Sequence, residues 1–169
     1  MKKFLLPFED SIKERFDQSE NLINPPFPNW QKSFVSGSAS PLFKVDHRID
    51  SAIENLLLTQ VEFKPSAEGP PAHVHGGASA ALIDETMGVI AWHSKHPSVT
   101  ENLNLNFVKA LPLNQTAYLA TWISQIDQKN IQVQCAILSA KNVIFVSGVG
   151  LFHQLSKEQL ERFKNLMNP

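Results

Sequence analysis

At 169 residues, 43% of them hydrophobic and 18% charged, the chain has the size of one domain and a composition neither collagen-like nor strongly disordered. Fifteen Lys+Arg against sixteen Asp+Glu give a formal net charge of −1, which speaks against a dedicated nucleic-acid binder. The single Cys135 excludes an intramolecular disulfide framework and fits a reducing compartment, and no window approaches the roughly 20 apolar residues of a membrane span.

The opening MKKFLLPFED has a short apolar run broken by Pro7, Glu9 and Asp10. A secretory core needs about 7–15 apolar residues, so a soluble, cytoplasmic protein is expected. Over residues 8–22, Phe8, Ile12, Phe16 and Leu22 recur among charges at roughly helical spacing and predict an amphipathic helix. NPPFPNW, residues 24–30, holds three prolines and cannot continue it. This segment reads as a helix and irregular arm bracing the domain, with a lid over a ligand site as the other reading. Strands follow at 41–46 and 55–63, then a loop at 64–77 marked by three prolines and three glycines. The stretch GGASAALIDETMGVIAWHS is long and alanine-rich, which favours helix. It is apolar nearly all round and so predicts a buried helix, bounded by Pro97.

Beyond it the period becomes two. In residues 99–108, Leu103, Leu105 and Phe107 alternate with Asn102, Asn104 and Asn106. Further strands are read at 116–126, around Ile131, Val133, Cys135 and Ile137, and at 143–152, joined by hairpin-length turns. SKEQLERFKNLM, with Gln159 three residues after Ser156, has the capping box of a last helix. Strands grouped around one apolar helix predict an α+β fold in which a curved antiparallel sheet wraps that helix. Such a sheet leaves an exposed edge that dimerisation could cover.

Chemistry concentrates in HVHGGASAALIDETMG, residues 73–88. His75-Gly76-Gly77 puts small residues at a helix start, where free amides and the positive dipole end can hold developing negative charge. Asp84 lies within an otherwise apolar helix, where an unpaired carboxylate is costly. Glu85 is read as solvated or interfacial. Gly76 and Asp84 are eight residues apart, about 12 Å along a helix, so one chain cannot bring both to one carbonyl. A two-fold dimer could. His73 and His75 form an H-x-H without a third ligand at metal spacing, so no metal is expected. Cys135 reads as core. Met87, Trp92 and Phe107 read as core or as lining an apolar pocket.

The segments EGPPAHVHGGASAALIDETMG and VTENLNLNFVKALPL together resemble the hotdog-fold acyl-CoA thioesterases of the phenylacetyl-CoA thioesterase-like and Them-type branch. The likeness covers residues 68–112, with strand order agreeing to about residue 152. It implies a hotdog domain at 41–155, with the N-terminal helix and arm at 1–40 and the C-terminal helix at 156–169 as additions. It also implies hydrolysis of an acyl-CoA to free acid and coenzyme A, with no cofactor beyond the substrate's own coenzyme. In this resemblance the Gly76 amide polarises the thioester carbonyl and His75 shapes the turn. Asp84, from the other subunit of a homodimer or dimer of dimers, acts as general base or nucleophile. Thr100 hydrogen-bonds the water or the Asp, and Gly77, Lys109, Asn102 and Met87 are candidate substrate contacts. Two positions depart from relatives: Gly69 stands where some carry Asn or Gln, and Lys109-Ala110 lacks the proline of a basic-Pro pair.

Two rivals are weighed beside it. A hotdog hydratase or dehydratase would pair a loop His with a helix acid, as His75 and Asp84 could imitate. A non-catalytic acyl-CoA-binding protein would keep only the fold.

Overall fold

The computed structural model describes residues 4–22, 24–26 and 29–167; Met1, Phe27 and Pro28 of the expected N-terminal segment and Asn168 and Pro169 of the expected last one lie outside these. The elements run α1 (Ile12–Gln18), β1 (Glu20–Asn21), β2 (Phe43–Ile49), β3 (Leu56–Phe63), α2 (Gly76–His93), β4 (Ser98–Phe107), β5 (Thr116–Ile126), β6 (Asn130–Leu138), β7 (Ile144–Gln154) and α3 (Lys157–Met167). Short 3₁₀ turns lie at Trp30–Lys32 and Pro65–Ala67. The seven strands form one antiparallel sheet in the order β1-β2-β3-β5-β6-β7-β4. The strand that follows α2 in the chain thus pairs with β7 and forms an edge.

The sheet curls around α2, as the hotdog arrangement requires. Leu82, Ile83, Met87, Val89 and Ile90 of α2 are fully buried in one core with Leu57, Val61, Leu119, Val133 and Ile137 from the strands. The helix begins at His75 and ends at Ser94, followed by Lys95 in the left-handed region (φ 66°) and then Pro97. A stripe on α2 stays only half-buried: Ala80, Ala81, Asp84, Glu85 and Gly88. Away from its ends the helix is otherwise buried, as its apolar sequence predicts, and this chain alone leaves that stripe uncovered.

The opposite face of the sheet carries a second core, where Phe8, Ile12 and Phe16 meet Leu56, Leu58, Tyr118 and Trp122. The expected helix over 8–22 shortens to seven residues for local reasons. Ser11 caps its start through Glu14 N–H (3.2 Å), and Ser19 closes its end, its N–H donating to the Phe16 carbonyl and its hydroxyl to that of Arg15. The chain then passes over the sheet edge, where Leu22 N–H donates to the His47 carbonyl at 2.8 Å. Asn142, left-handed in the β6–β7 turn, accepts from Ile12 N–H and donates to the Asp10 carbonyl, so the hairpin fastens α1. The capping box of α3 forms as read, with Ser156 N–H on Gln159 Oε1 (2.8 Å) and Gln159 N–H on Ser156 Oγ (3.2 Å).

Candidate active site

The loop before α2 is a scaffold for the helix start. Glu68 accepts the Ala72 N–H at 2.6 Å, Gly69 N–H donates to the His73 carbonyl, and Ala72 takes a left-handed φ of 62°. Gly69 is there for space: a Cβ on it would lie 2.8 Å from His75 Cα. His75 is the N-cap of α2, and its Nδ1 accepts the Gly77 N–H at 2.9 Å. The ring must therefore be unprotonated at Nδ1, and the Gly77 amide is spent on the cap. Gly76 precedes it as the first helical residue, with an amide that has no partner four residues back. A Cβ on Gly76 would stand 3.4 Å from the Phe107 ring, so this end of α2 rests on the far end of β4.

Asp84 lies two turns further along. Thr100 donates its hydroxyl to Asp84 Oδ1 at 2.8 Å, the contact that the resemblance implies. Simple alternation would put Thr100 on the asparagine face of β4, away from the helix. The register slips between Thr100 and Asn102, so Thr100 pairs with Phe152 and Asn102 with Leu151. This bulge reverses the phase of the strand, and Thr100 and Leu103 come to face α2 together. Asn102 is exposed on the other face and does not reach Asp84. Met87, 0% exposed, is packed where a Cβ on Gly150 would fall 2.7 Å from its sulfur. It belongs to the core.

Asp84 and Thr100 line a cleft of about 420 Å³ with Glu85, Ser98 and a set of apolar residues, among them Trp92, Val99 and Phe152. Gly76 and Lys109 line a separate cleft of about 270 Å³ with His73, Phe107 and Val108. One chain therefore keeps the helix-start amide and the carboxylate in two places, as their spacing requires. Cys135 is fully buried, with its thiol pushed up to about 12 by burial, and touches Thr121 and Thr86; it is no nucleophile.

The N-terminal arm reaches this cleft, as its reading as a lid allowed, but sequence reasoning missed its anchor. Glu85, read as solvated or interfacial, holds the arm through Ser33 and Ser36. The signal available was Glu85 itself, a second carboxylate in an apolar helix, open to the argument applied to Asp84.

A sheet wrapped on one helix, with a capped Gly-Gly start and an Asp–Thr pair on its flank, is the arrangement of the hotdog thioesterases. Residues 72–145 match the family model of the thioesterase superfamily. Mouse acyl-coenzyme A thioesterase THEM5 is 31% identical over 96 residues, covering 56% of this chain and 39% of the relative. The chain thus spans about two fifths of the length of the curated relatives that it matches. A thioesterase superfamily protein of known structure superposes with a TM-score of 0.62 at 28% identity, covering 65% of this chain and 53% of that one. A Streptococcus pneumoniae protein, described as a hypothetical thioesterase with coenzyme A, superposes at 0.61 with 12% identity, covering 67% and 87%. No helix among the described residues is long and apolar enough to cross a membrane.

Proposed function

We propose that this protein hydrolyses acyl-CoA thioesters to a free carboxylic acid and coenzyme A, at sites shared between two subunits. The observation that carries the reading is the Thr100 hydroxyl donated to Asp84 at 2.8 Å beside an apolar cleft. Thr100 fixes one carboxylate oxygen and leaves the other for a water. Asp84 takes a proton from that water as its oxygen attacks the thioester carbonyl carbon. The oxyanion is held by the Gly76 amide of the partner subunit, and collapse breaks the C–S bond to release the coenzyme A thiolate, which is then protonated. Direct attack by Asp84, through an acyl anhydride that water then opens, uses the same geometry. Neither route needs a metal or a further cofactor. Lys109, beside Gly76, is placed to meet the coenzyme's phosphates.

The edge strand supports the shared site. β4 has β7 on one side and, among the described residues, no strand on the other. A two-fold axis that passes α2 at Ala80 and β4 between Leu103 and Asn104 would pair β4 with its copy, and set Thr100 opposite Phe107 of the partner subunit. Asp84 would then lie beside the partner subunit's Gly76. Ala80 and Ala81, next to that axis, would let two α2 helices approach closely along the face that one chain leaves open. His75, with Nδ1 engaged in the cap, is poorly suited to the acid–base dyad of a hydratase.

The test is release of free thiol from acyl-CoA substrates across chain lengths, aryl-CoA included. Asp84→Ala is expected to lower kcat by about 10²–10⁴-fold with the melting temperature kept, since Asp84 is half-buried. Water addition to an enoyl-CoA with no thiol release would overturn the reading in favour of a hydratase. Binding of acyl-CoA without turnover would leave a binding protein.

A further inference from the structure

Residues 33–36 lie outside the 72–145 family match, yet Phe34 and Val35 of this segment line the Asp84 cleft. Glu85 holds them at two points: the Ser33 hydroxyl donates to one carboxylate oxygen, and Ser36 N–H donates to the other at 2.9 Å. Ser33 Oγ also accepts from Val35 N–H at 3.0 Å, and the Ser40 hydroxyl donates to the Phe34 carbonyl at 2.5 Å. Between these ties Val35 is buried in the core, while Phe34 is left 59% exposed on the cleft. A phenyl ring that a short, tightly bonded segment holds out of the core is placed for contact with something else. Its anchor, Glu85, directly follows Asp84, so the arm is registered to the reacting group.

We propose that Phe34 is the wall against which the substrate's acyl group lies, and that the arm, positioned by Glu85, sets the preference for longer acyl chains. This rests on reading the Asp84 cleft as the acyl-thioester site. Each methylene laid on the ring leaves water, so a long chain gains and a two-carbon group has little to lay there. Phe34 touches the substrate; Glu85 acts through the arm as a positioning residue.

Non-hydrolysable alkyl-CoA thioethers test this apart from turnover. Octyl-CoA and ethyl-CoA are titrated calorimetrically into the full chain, its Phe34→Ala and Phe34→Leu variants, and Glu85→Ala. The preference for octyl over ethyl is expected to fall about tenfold in Phe34→Ala, to return largely in Phe34→Leu, and to fall in Glu85→Ala although its phenyl ring remains. Melting temperatures within a few degrees of wild type identify the variants that still fold. In thiol release, the loss for octanoyl-CoA should appear in KM more than in kcat. Equal weakening of both thioethers, or no change in either, overturns the wall, as does a wild-type chain that binds neither. A wild-type chain with Phe34-dependent octyl binding but no hydrolysis keeps the wall and overturns the hydrolase.

Discussion

In the proposed mechanism Thr100 acts through one hydroxyl proton. An ionised carboxylate has several lone-pair sites, and a hydroxyl fixed on one oxygen orients the group without neutralising it. Thr100→Val keeps the β-branched shape that a strand favours and removes only that donor. A hydrogen bond to a charged group contributes about 1.5–3 kcal/mol, so kcat is expected to fall about 10–100-fold. The loss should be smaller than for Asp84→Ala in the same thiol-release assay, and small in the double variant once Asp84 is gone. A Thr100→Val enzyme with wild-type kcat would remove the residue from the mechanism. Asp84 was legible as a residue, because a carboxylate in an apolar helix stands out, whereas Thr100 was marked only by the family resemblance. Their contact was not legible from alternation, since the bulge that turns Thr100 toward the helix leaves no mark on a period-2 pattern.

Among the elements, the N-terminal segment is where sequence reading lost most. Phe8, Ile12 and Phe16 gave its buried face correctly, yet periodicity cannot say that the chain leaves one face of the sheet, crosses its edge and returns to the other. The crossing leaves His47 of β2 buried at 5% exposure, with Nδ1 on the Thr59 hydroxyl at 2.8 Å and Nε2 without a partner. Burial pushes its pKa down to about 4, from an ordinary 6.5. The folded chain therefore resists a proton that the unfolded chain accepts. The stability of the neutral form is complete above about pH 6.5 and is lost as pH falls toward 4, with no further loss from this group below that. The span corresponds to about 3 kcal/mol. Denaturant melts at pH 7.5, 5.5 and 4.5 should show the decline, and His47→Gln should flatten it while lowering stability at pH 7.5. The aspartates whose pKa values are lowered, Asp10 beside Arg15 and Asp127 under the Lys129 and Asn130 amides, act only below their ordinary 3.8 and do not confuse that window. An equal slope in His47→Gln would assign the acid sensitivity elsewhere.

At the scale of the whole molecule, the order of strands was legible from hairpin-length turns, whereas the place of β4 at an edge beside β7 depends on long-range pairing that no local pattern encodes. Arithmetic on one helix went further than topology, because eight residues separate Gly76 from Asp84 in any fold that keeps the helix straight. In the proposed dimer the two clefts of one chain, one with the carboxylate and one with the helix-start amide, would be halves of different sites. Mixing distinguishes this from two independent functions. Asp84→Ala removes the carboxylate, and Gly76→Pro removes the amide at a first helical position that tolerates proline. Each homodimer should be nearly inactive. Unfolded together and refolded in equal amounts, half of the dimers are mixed, and each mixed dimer rebuilds one intact site from the Asp84 of one subunit and the Gly76 of the other. Activity should recover to about a quarter of wild type. No recovery, with mixed dimers demonstrated by differential tagging, would mean that each chain works with its own groups, and the two-fold arrangement of α2 and β4 would have to be abandoned.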